Sequence, residues 1–382
     1  MDNFQAADYI MNTYQRKIWL DHGSGSWVFD LNGKKYLDFT SGIATCALGH
    51  ANPEITKVIA YQAAKMIGCS NLFYTEPQAL LAKKLAEITG LGKCFFSNSG
   101  TEAIEAAIKL ARKTTKKTKI ISMENGFHGR TLGSLSATWN TDYKSKFEPL
   151  VPGFEYAKFG DIDSLKNKVD ANTAAVILEP IQGESGIILP GKGYLEKVKD
   201  LCNKKGLLLI VDEIQTGNGR TGKYFCYMYE NIQPDIVTTA KGLANGFPIG
   251  VTIAKKKLDF EPGDHGSTFG GNSLCCSVAL KTISIIEMIM PEIEKKGIYL
   301  TRKLNAINSQ YIKKVRGKGL IIGIELNIPA ERIVFRCIEK GLLINKVHTN
   351  VLRLLPALTI SYEEMDIACR ILKSVLEGEE HD

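Results

Sequence analysis

Gly206-Leu-Leu-Leu-Ile-Val-Asp-Glu-Ile-Gln215 contains an apolar run that stops on the carboxylate of Asp212. A run of this length and composition reads as a strand over Leu207 to Val211. Lys241 follows Asp212 by 29 positions, among the small residues of Thr238-Thr-Ala-Lys-Gly242. The two residues fit opposite parts of pyridoxal 5′-phosphate, with Asp212 on the protonated ring nitrogen and Lys241 as the Schiff-base partner of the aldehyde. With both roles filled, the expected chemistry is that of amino groups.

Between about residues 93 and 255, short apolar runs alternate with amphipathic stretches, the pattern of a parallel sheet with crossover helices. Strands are expected at Cys94 to Ser97, Lys119 to Ser122, Ala174 to Leu178, Leu207 to Val211, Asp235 to Thr238 and Ile249 to Ala254. The best helix runs from Thr101 to Lys113, with Ile104, Ile108 and Ala111 on one side; helices also fit Gly193 to Lys204 and Asn272 to Met290. In open sheets of this kind ligands bind beyond the carboxyl ends of the strands, where Asp212 and Lys241 fall. The flanks read differently. Ser26 to Asp30, a turn at Asn32-Gly33 and Lys35 to Phe39 form a strand-turn-strand unit. Gly317 to Leu326, Val351 to Leu355 and an amphipathic run from Glu363 to Leu376 close the chain. The expectation is an α/β protein with a large domain over 54–290 and a smaller α+β domain built from 1–53 and 291–382.

The 382 residues are 44% hydrophobic and 23% charged, enough for two packed domains and too well mixed for disorder. Lys and Arg number 48 against 41 Asp and Glu. The basic residues fall in short clusters, Lys113 to Lys119 and Lys255 to Lys257, without interleaved aromatics, so no nucleic-acid partner is expected. The net charge of +7 favours anionic small-molecule substrates. Nine cysteines form no CxxC pair and sit mostly in apolar stretches, as reduced thiols do. Met1 to Asp8 lacks the basic start and apolar stretch of a signal peptide, and no apolar run reads as a membrane span. A cytoplasmic location is expected.

Ser97-Asn-Ser-Gly-Thr-Glu102 lies between a strand and a helix. Gly100 lets the backbone come close, and Ser99, Thr101 and the free N–H groups of the helix start face an anion, as in a phosphate cup. An ordinary Ser/Thr helix cap would read the same way. Asn125-Gly-Phe-His-Gly-Arg-Thr131 places Phe127, His128 and Arg130 on one loop. Phe127 offers a face to a pyridine ring and Arg130 a flat donor fork to a carboxylate, although a core Phe beside a solvated Arg fits equally. In Leu178-Glu-Pro-Ile-Gln-Gly-Glu-Ser-Gly186 a strand gives way to a turn with two carboxylates. Arg353, inside the apolar run Val351 to Leu355, needs a partner, and Glu184 is the candidate; an exposed strand face is the alternative. Asp264 to Asn272 is either a second phosphate clamp or a capping loop. The six histidines form no Cys/His cluster, so no metal site is expected. No G-x-S-x-G appears, and the glycine-rich loop at Ser97 to Glu102 lacks both the G-x-G-x-x-G fingerprint and the P-loop Gly-Lys-Ser/Thr, so hydrolase, nicotinamide and nucleotide readings lose support.

Taken in order, these segments resemble the class III (subgroup II) aminotransferases of pyridoxal-phosphate fold type I over nearly the whole chain. Gly42 to Ala44, Leu48-Gly-His-Ala-Asn-Pro53, Ser70 to Gln78, Gly263 to Asn272 and Leu352 to Pro356 look most like the acetylornithine branch of that family. The resemblance implies Lys241 as Schiff-base lysine and proton shuttle, Asp212 as ring-nitrogen partner and Gln215 as partner of the ring hydroxyl. By the same resemblance Phe127 stacks on the ring beside His128, and Ser99, Gly100 and Thr101 hold the phosphate. Thr268 would reach that phosphate from a neighbouring subunit, making a homodimer with shared sites. Arg130 would bind the carboxylate far from the reacting amine, while Glu184 masks Arg353 for one substrate and releases it for the other.

The activity implied is transfer of the distal amino group of N2-acetylornithine to 2-oxoglutarate, giving N-acetylglutamate 5-semialdehyde and glutamate, in arginine biosynthesis. N-succinyl-diaminopimelate, ornithine and 4-aminobutyrate are alternative donors. A mutase, epimerase or decarboxylase on the same scaffold would need no 2-oxoglutarate, and a non-catalytic relative would need neither Lys241 nor Asp212. The chain departs from the family pattern at Thr45-Cys46, Ser185, Ser273 and Ala357. None of these removes a proposed catalytic group, but Ser185 adjoins Glu184 and Thr45-Cys46 falls toward the substrate entrance.

Overall fold

The computed structural model describes residues 6–378, so most of the N-terminal stretch read for a leader lies outside the described residues. The chain opens with β1 (Leu20–Ser24), β2 (Trp27–Asp30) and β3 (Lys35–Asp38), an antiparallel meander. Two helices follow, α1 (Pro53–Lys65) and α2 (Glu76–Thr89). Asn52 accepts hydrogen bonds from the Glu54 and Ile55 amides, and Pro53 takes the first helical position, where a missing N–H costs nothing.

The central sheet has seven strands: β4 (Lys93–Ser97), β5 (Lys119–Met123), β6 (Phe154–Ala157), β7 (Thr173–Leu178), β8 (Leu208–Asp212), β9 (Ile236–Thr239) and β10 (Gly250–Ala254). Their spatial order is β4-β10-β9-β8-β7-β5-β6, with β10 alone antiparallel to its neighbours. Every residue of β5, β7 and β10 is buried, which is why these strands read as continuous apolar runs rather than as alternation. One face is covered by α3 (Gly100–Thr115), whose Ile104, Ala107, Ile108 and Ala111 pack against Ile120, Ile177, Ile210 and Ile236. On the other face the main core takes in Leu195, Val198 and Leu201 of α4 (Tyr194–Lys205) and the buried side of α5 (Ser273–Asn305).

The helix α5 runs further than expected. It continues through Pro291 instead of stopping at Met290, because Ile283 and Ile286 before the proline and Ile293, Leu300 and Leu304 after it keep one buried stripe. It is also long and apolar enough to cross a bilayer by length and composition alone. Lys281 and Glu287 break the run when it is read residue by residue, and its buried stripe belongs to the main core.

The edge strand β6 was not anticipated. Beyond α5, β11 (Ile312–Lys318) and β12 (Ile321–Leu326) form a hairpin, of which the expected run Gly317 to Leu326 covers only the turn and the second strand; Gly319 turns the chain at φ +55°. Then come β13 (Leu342–Leu343), β14 (Asn345–Val347), β15 (Val351–Leu354) and α6 (Tyr362–Glu377). The chain ends meet: β13 pairs in parallel with β3, and Glu364 accepts from Ser26 Oγ at 3.0 Å and Trp27 Nε1 at 2.7 Å.

Candidate active site

The parallel strands β5, β7, β8 and β9 end on one side of the sheet, and the loops that leave them converge there. Asp212 is the last residue of β8 and is buried. Its Oδ2 lies 2.7 Å from His128 Nδ1, and its Oδ1 accepts from the Ile214 amide at 3.0 Å. In this contact His128 Nδ1 donates to the carboxylate, and its Nε2 is buried without a partner. Asp212 is thereby fixed from two sides while still lining the cavity.

Lys241 follows β9 with φ +39°, a left-handed conformation that a non-glycine residue adopts only where its surroundings enforce it. Burial pushes its amine below the ordinary lysine range, and the Arg353 charge acts the same way, against the opposing pull of Glu184 and Asp212. An amine held less basic than usual is a better nucleophile at neutral pH.

Ser99 caps α3, its Oγ accepting from the Glu102 amide at 3.3 Å. The amides of Gly100 and Thr101, in the first turn, have no acceptor within the helix. A Cβ on Gly100 would lie 2.8 Å from Ile214, so only glycine leaves that approach clear. Thr101 Oγ1 joins Ser134 Oγ at 2.6 Å and Thr131 Oγ1 at 2.8 Å.

One cavity of about 400 Å³ gathers these groups. Ser99, Gly100 and Thr101 lie along it, together with Phe127, His128 and Arg130 from the loop after β5. Glu184, Asp212, Gln215 and Lys241 complete the set of expected residues that line it. Arg130 is exposed at the rim with its guanidinium 3.6 Å from the Tyr143 ring centroid. Arg353 stands behind the lining: it is buried, and its Nη1 reaches Glu184 Oε1 at 2.5 Å and Gln215 Oε1 at 3.3 Å. The alternative of an exposed Arg353 is thus excluded. Burial opposes ionisation of Glu184, but the Arg353 and Lys241 charges prevail and hold its carboxyl below the usual range.

Thr268 is not brought to this cavity. It is exposed and lines, with Leu72 and Phe269, a neighbouring space of about 1220 Å³ that shares Phe247 and Pro248 with the first. Glu179 was passed over. It directly follows the wholly buried strand β7, as Asp212 ends β8, and that parallel was the available signal. The residues present fit pyridoxal 5′-phosphate: a carboxylate braced by an imidazole, a lysine of lowered basicity, an aromatic face, and helix-start amides with room for an anion.

The chain belongs to the class-III aminotransferases: the family model for aminotransferase class-III matches residues 9–376. Its fold is type I of the pyridoxal-phosphate enzymes, and the chain is similar throughout to acetylornithine aminotransferases. That of Methanopyrus kandleri is 45% identical over 98% of this chain and 99% of its own length. That of Aquifex aeolicus is 45% identical over 96% of this chain and 100% of its own. Among solved structures, the ornithine aminotransferase from Toxoplasma gondii superposes with a TM-score of 0.96 at 33% identity, covering 100% of this chain and 96% of that one. The acetylornithine aminotransferase from Elizabethkingia anophelis gives 0.88 at 34% identity, with 98% of each chain covered.

Proposed function

We propose that this chain moves the distal amino group of N2-acetylornithine to 2-oxoglutarate, giving N-acetylglutamate 5-semialdehyde and glutamate, with pyridoxal 5′-phosphate as cofactor. The observation that carries this reading is the Glu184–Arg353 pair, closed behind a cavity that has a second arginine, Arg130, at its rim. Two cationic forks, one of them masked by a movable carboxylate, suit a site that alternates between an acylated amine with one carboxylate and a dicarboxylate. The relatives named acetylornithine aminotransferase support the same donor.

When bound, the cofactor supplies an aldehyde for the amino group and an electron sink for the carbon that loses a proton. Asp212, braced by His128, would hold a proton at the ring nitrogen. Phe127 would cover the ring, Gln215 would meet its hydroxyl, and Ser99, Gly100 and Thr101 would take the phosphate on the helix start. Lys241 would take up at its amine the proton lost by the substrate carbon that bears the transferred amino group, and give it back within the same half-reaction. Arg130 anchors the remote carboxylate of either substrate. With glutamate, Glu184 swings aside and Arg353 receives the α-carboxylate.

The reading extends to a cytoplasmic homodimer in arginine biosynthesis, without nucleic-acid or membrane partners, in which Thr268 of one subunit serves the phosphate of the other. A large domain over 54–290 would carry the cofactor, and the two chain ends would form the smaller unit. The deciding experiment is a steady-state donor panel with 2-oxoglutarate: acetylornithine should give the highest kcat/KM. Turnover of 4-aminobutyrate or ornithine with none of acetylornithine would overturn the donor, and turnover without any oxo acid would overturn the reaction class.

A further inference from the structure

We infer that Glu179 is a positioning residue whose carboxylate clamps the Phe127 loop and the Gly183–Glu184 turn to the end of β7. It would thereby set where the ring-covering aromatic and the gate over Arg353 stand. Glu179 is buried and lines the cavity. Its Oε1 accepts the Phe127 N–H at 2.9 Å and its Oε2 accepts the Gly183 N–H at 3.2 Å. One oxygen is thus committed to each loop, and both bonds are charge-assisted when the group is ionised.

Gly183 cannot retreat from this bond toward the cavity. A Cβ there would stand 1.9 Å from Gln215 Oε1, so its backbone is already pressed against Gln215. Gln215 in turn donates to Glu184 Oε1 at 3.3 Å and accepts from Arg353 at 3.3 Å. The contact chain from Glu179 through Gly183 and Gln215 therefore ends on the gate. Its other arm ends on the Phe127 backbone, three residues before Arg130.

The charged and titratable groups facing Glu179 are His128 from the loop after β5, Asp212 from β8 and Lys241 from the turn after β9. Burial pushes the Glu179 carboxyl up to about 7, with His128 opposing and Asp212 adding to the rise. The group is therefore ionised above about pH 7 and protonated below it. A protonated carboxyl keeps one good acceptor and turns its other oxygen into a hydroxyl, so it holds one amide well instead of two. The clamp is complete on the alkaline side and half open on the acid side.

What the two loops do rests on the aminotransferase reading; the clamp itself does not. The test is Glu179→Gln, an isostere with one acceptor, compared with wild type at pH 6 and pH 8. Pyridoxal 5′-phosphate is titrated onto each apo protein by absorbance, and KM is measured for 2-oxoglutarate and acetylornithine. At pH 8 the variant's cofactor Kd and its KM for 2-oxoglutarate should rise about tenfold, the loss of one charge-assisted bond, with kcat changed less. At pH 6 the gap from wild type should close, because wild type has then lost the same bond. A gap of equal size at both pH values, or no gap, overturns the inference. Hydrogen exchange of the wild-type apo protein guards against a variant that fails to fold. After correction for intrinsic rates, peptides holding the Phe127 and Gly183 amides should gain protection between pH 6 and pH 8, and a flat profile overturns the clamp. Wild type that neither binds pyridoxal 5′-phosphate nor transaminates would sink the aminotransferase reading instead, and the exchange result would still decide the clamp.

Discussion

Arg353 Nη1 and Glu184 Oε1 are 2.5 Å apart across 169 residues of sequence, and the two side chains differ sharply in their access to water. The Arg353 side chain is 1% exposed and the Glu184 side chain 29%. The guanidinium is held in place by packing and by Gln215, whereas the carboxylate has an open direction in which to turn. In any exchange of partners it is Glu184 that moves.

Glu184→Gln tests that division of labour. An amide masks Arg353 less strongly than a carboxylate, so carboxylate ligands gain access to it in both half-reactions. The expected result is an unchanged or lower KM for 2-oxoglutarate and a kcat for acetylornithine lowered about tenfold, because its carboxylate then binds nonproductively at Arg353. Half-reaction kinetics with each substrate read this out directly, and equal effects on both substrates would remove the gate from the mechanism.

Arg353→Gln addresses the same pair from the stability side. Removing one partner of a buried pair costs about 3–5 kcal/mol, and the partial exposure of Glu184 brings the expected loss toward about 2 kcal/mol. The folded Glu184 pKa lies below its ordinary 4.5, so the pair's contribution is present above that value and fades as pH falls through the lowered one. The melting-temperature gap between wild type and variant should therefore be constant from pH 6 to pH 8 and shrink below about pH 4.5. A gap that widened in acid would mean that the arginine stabilises the fold by some other contact.

Lys241→Ala should leave a folded protein that no longer holds its cofactor covalently. The side chain stands at the cavity wall, so its methylenes contribute little packing, and alanine must only tolerate a φ of +39°. Wild type should trap the cofactor on borohydride reduction and the variant should not, with transamination lost. Normal turnover by the variant would remove Lys241 from the chemistry.

The fold was legible where burial and local pattern agree. The strands β5, β7, β8 and β10 read directly because each is buried on nearly every residue, and α3 because its apolar stripe is regular. The hairpin at Gly319 hid because Ile312–Lys318 is half-exposed and carries four basic residues among its seven. Asp212, Lys241 and Arg353 were legible because each sets a charge within or beside an apolar run, an arrangement that burial makes expensive without a partner. Glu179 carried the same signal but had no obvious counter-charge in sequence, since its partners are two backbone amides. The His128–Asp212 contact spans 84 residues and depends on sheet order, which a linear pattern does not encode.

Thr268 supplies the last test, because within a single chain it lies outside the cavity that holds the other expected residues. Around its loop the chain exposes Leu72 at 87%, Phe73 at 67%, Tyr74 at 100% and Phe269 at 72%. So many large apolar side chains side by side form a patch of the kind that marks an interface. A second copy of the chain would cover that patch and could bring its Thr268 hydroxyl toward the helix-start amides at Gly100 and Thr101. Sedimentation of wild type should give twice 42.1 kDa. Phe269→Glu should shift the protein toward monomer and weaken pyridoxal 5′-phosphate binding together, since burying an unpaired carboxylate in an apolar interface is strongly unfavourable. Thr268→Val should keep the dimer and raise the cofactor Kd by about fivefold to tenfold, the loss of one hydrogen bond to a charged phosphate. If Thr268→Val bound the cofactor as wild type does, the hydroxyl would have no part in the neighbouring site, whatever the state of assembly.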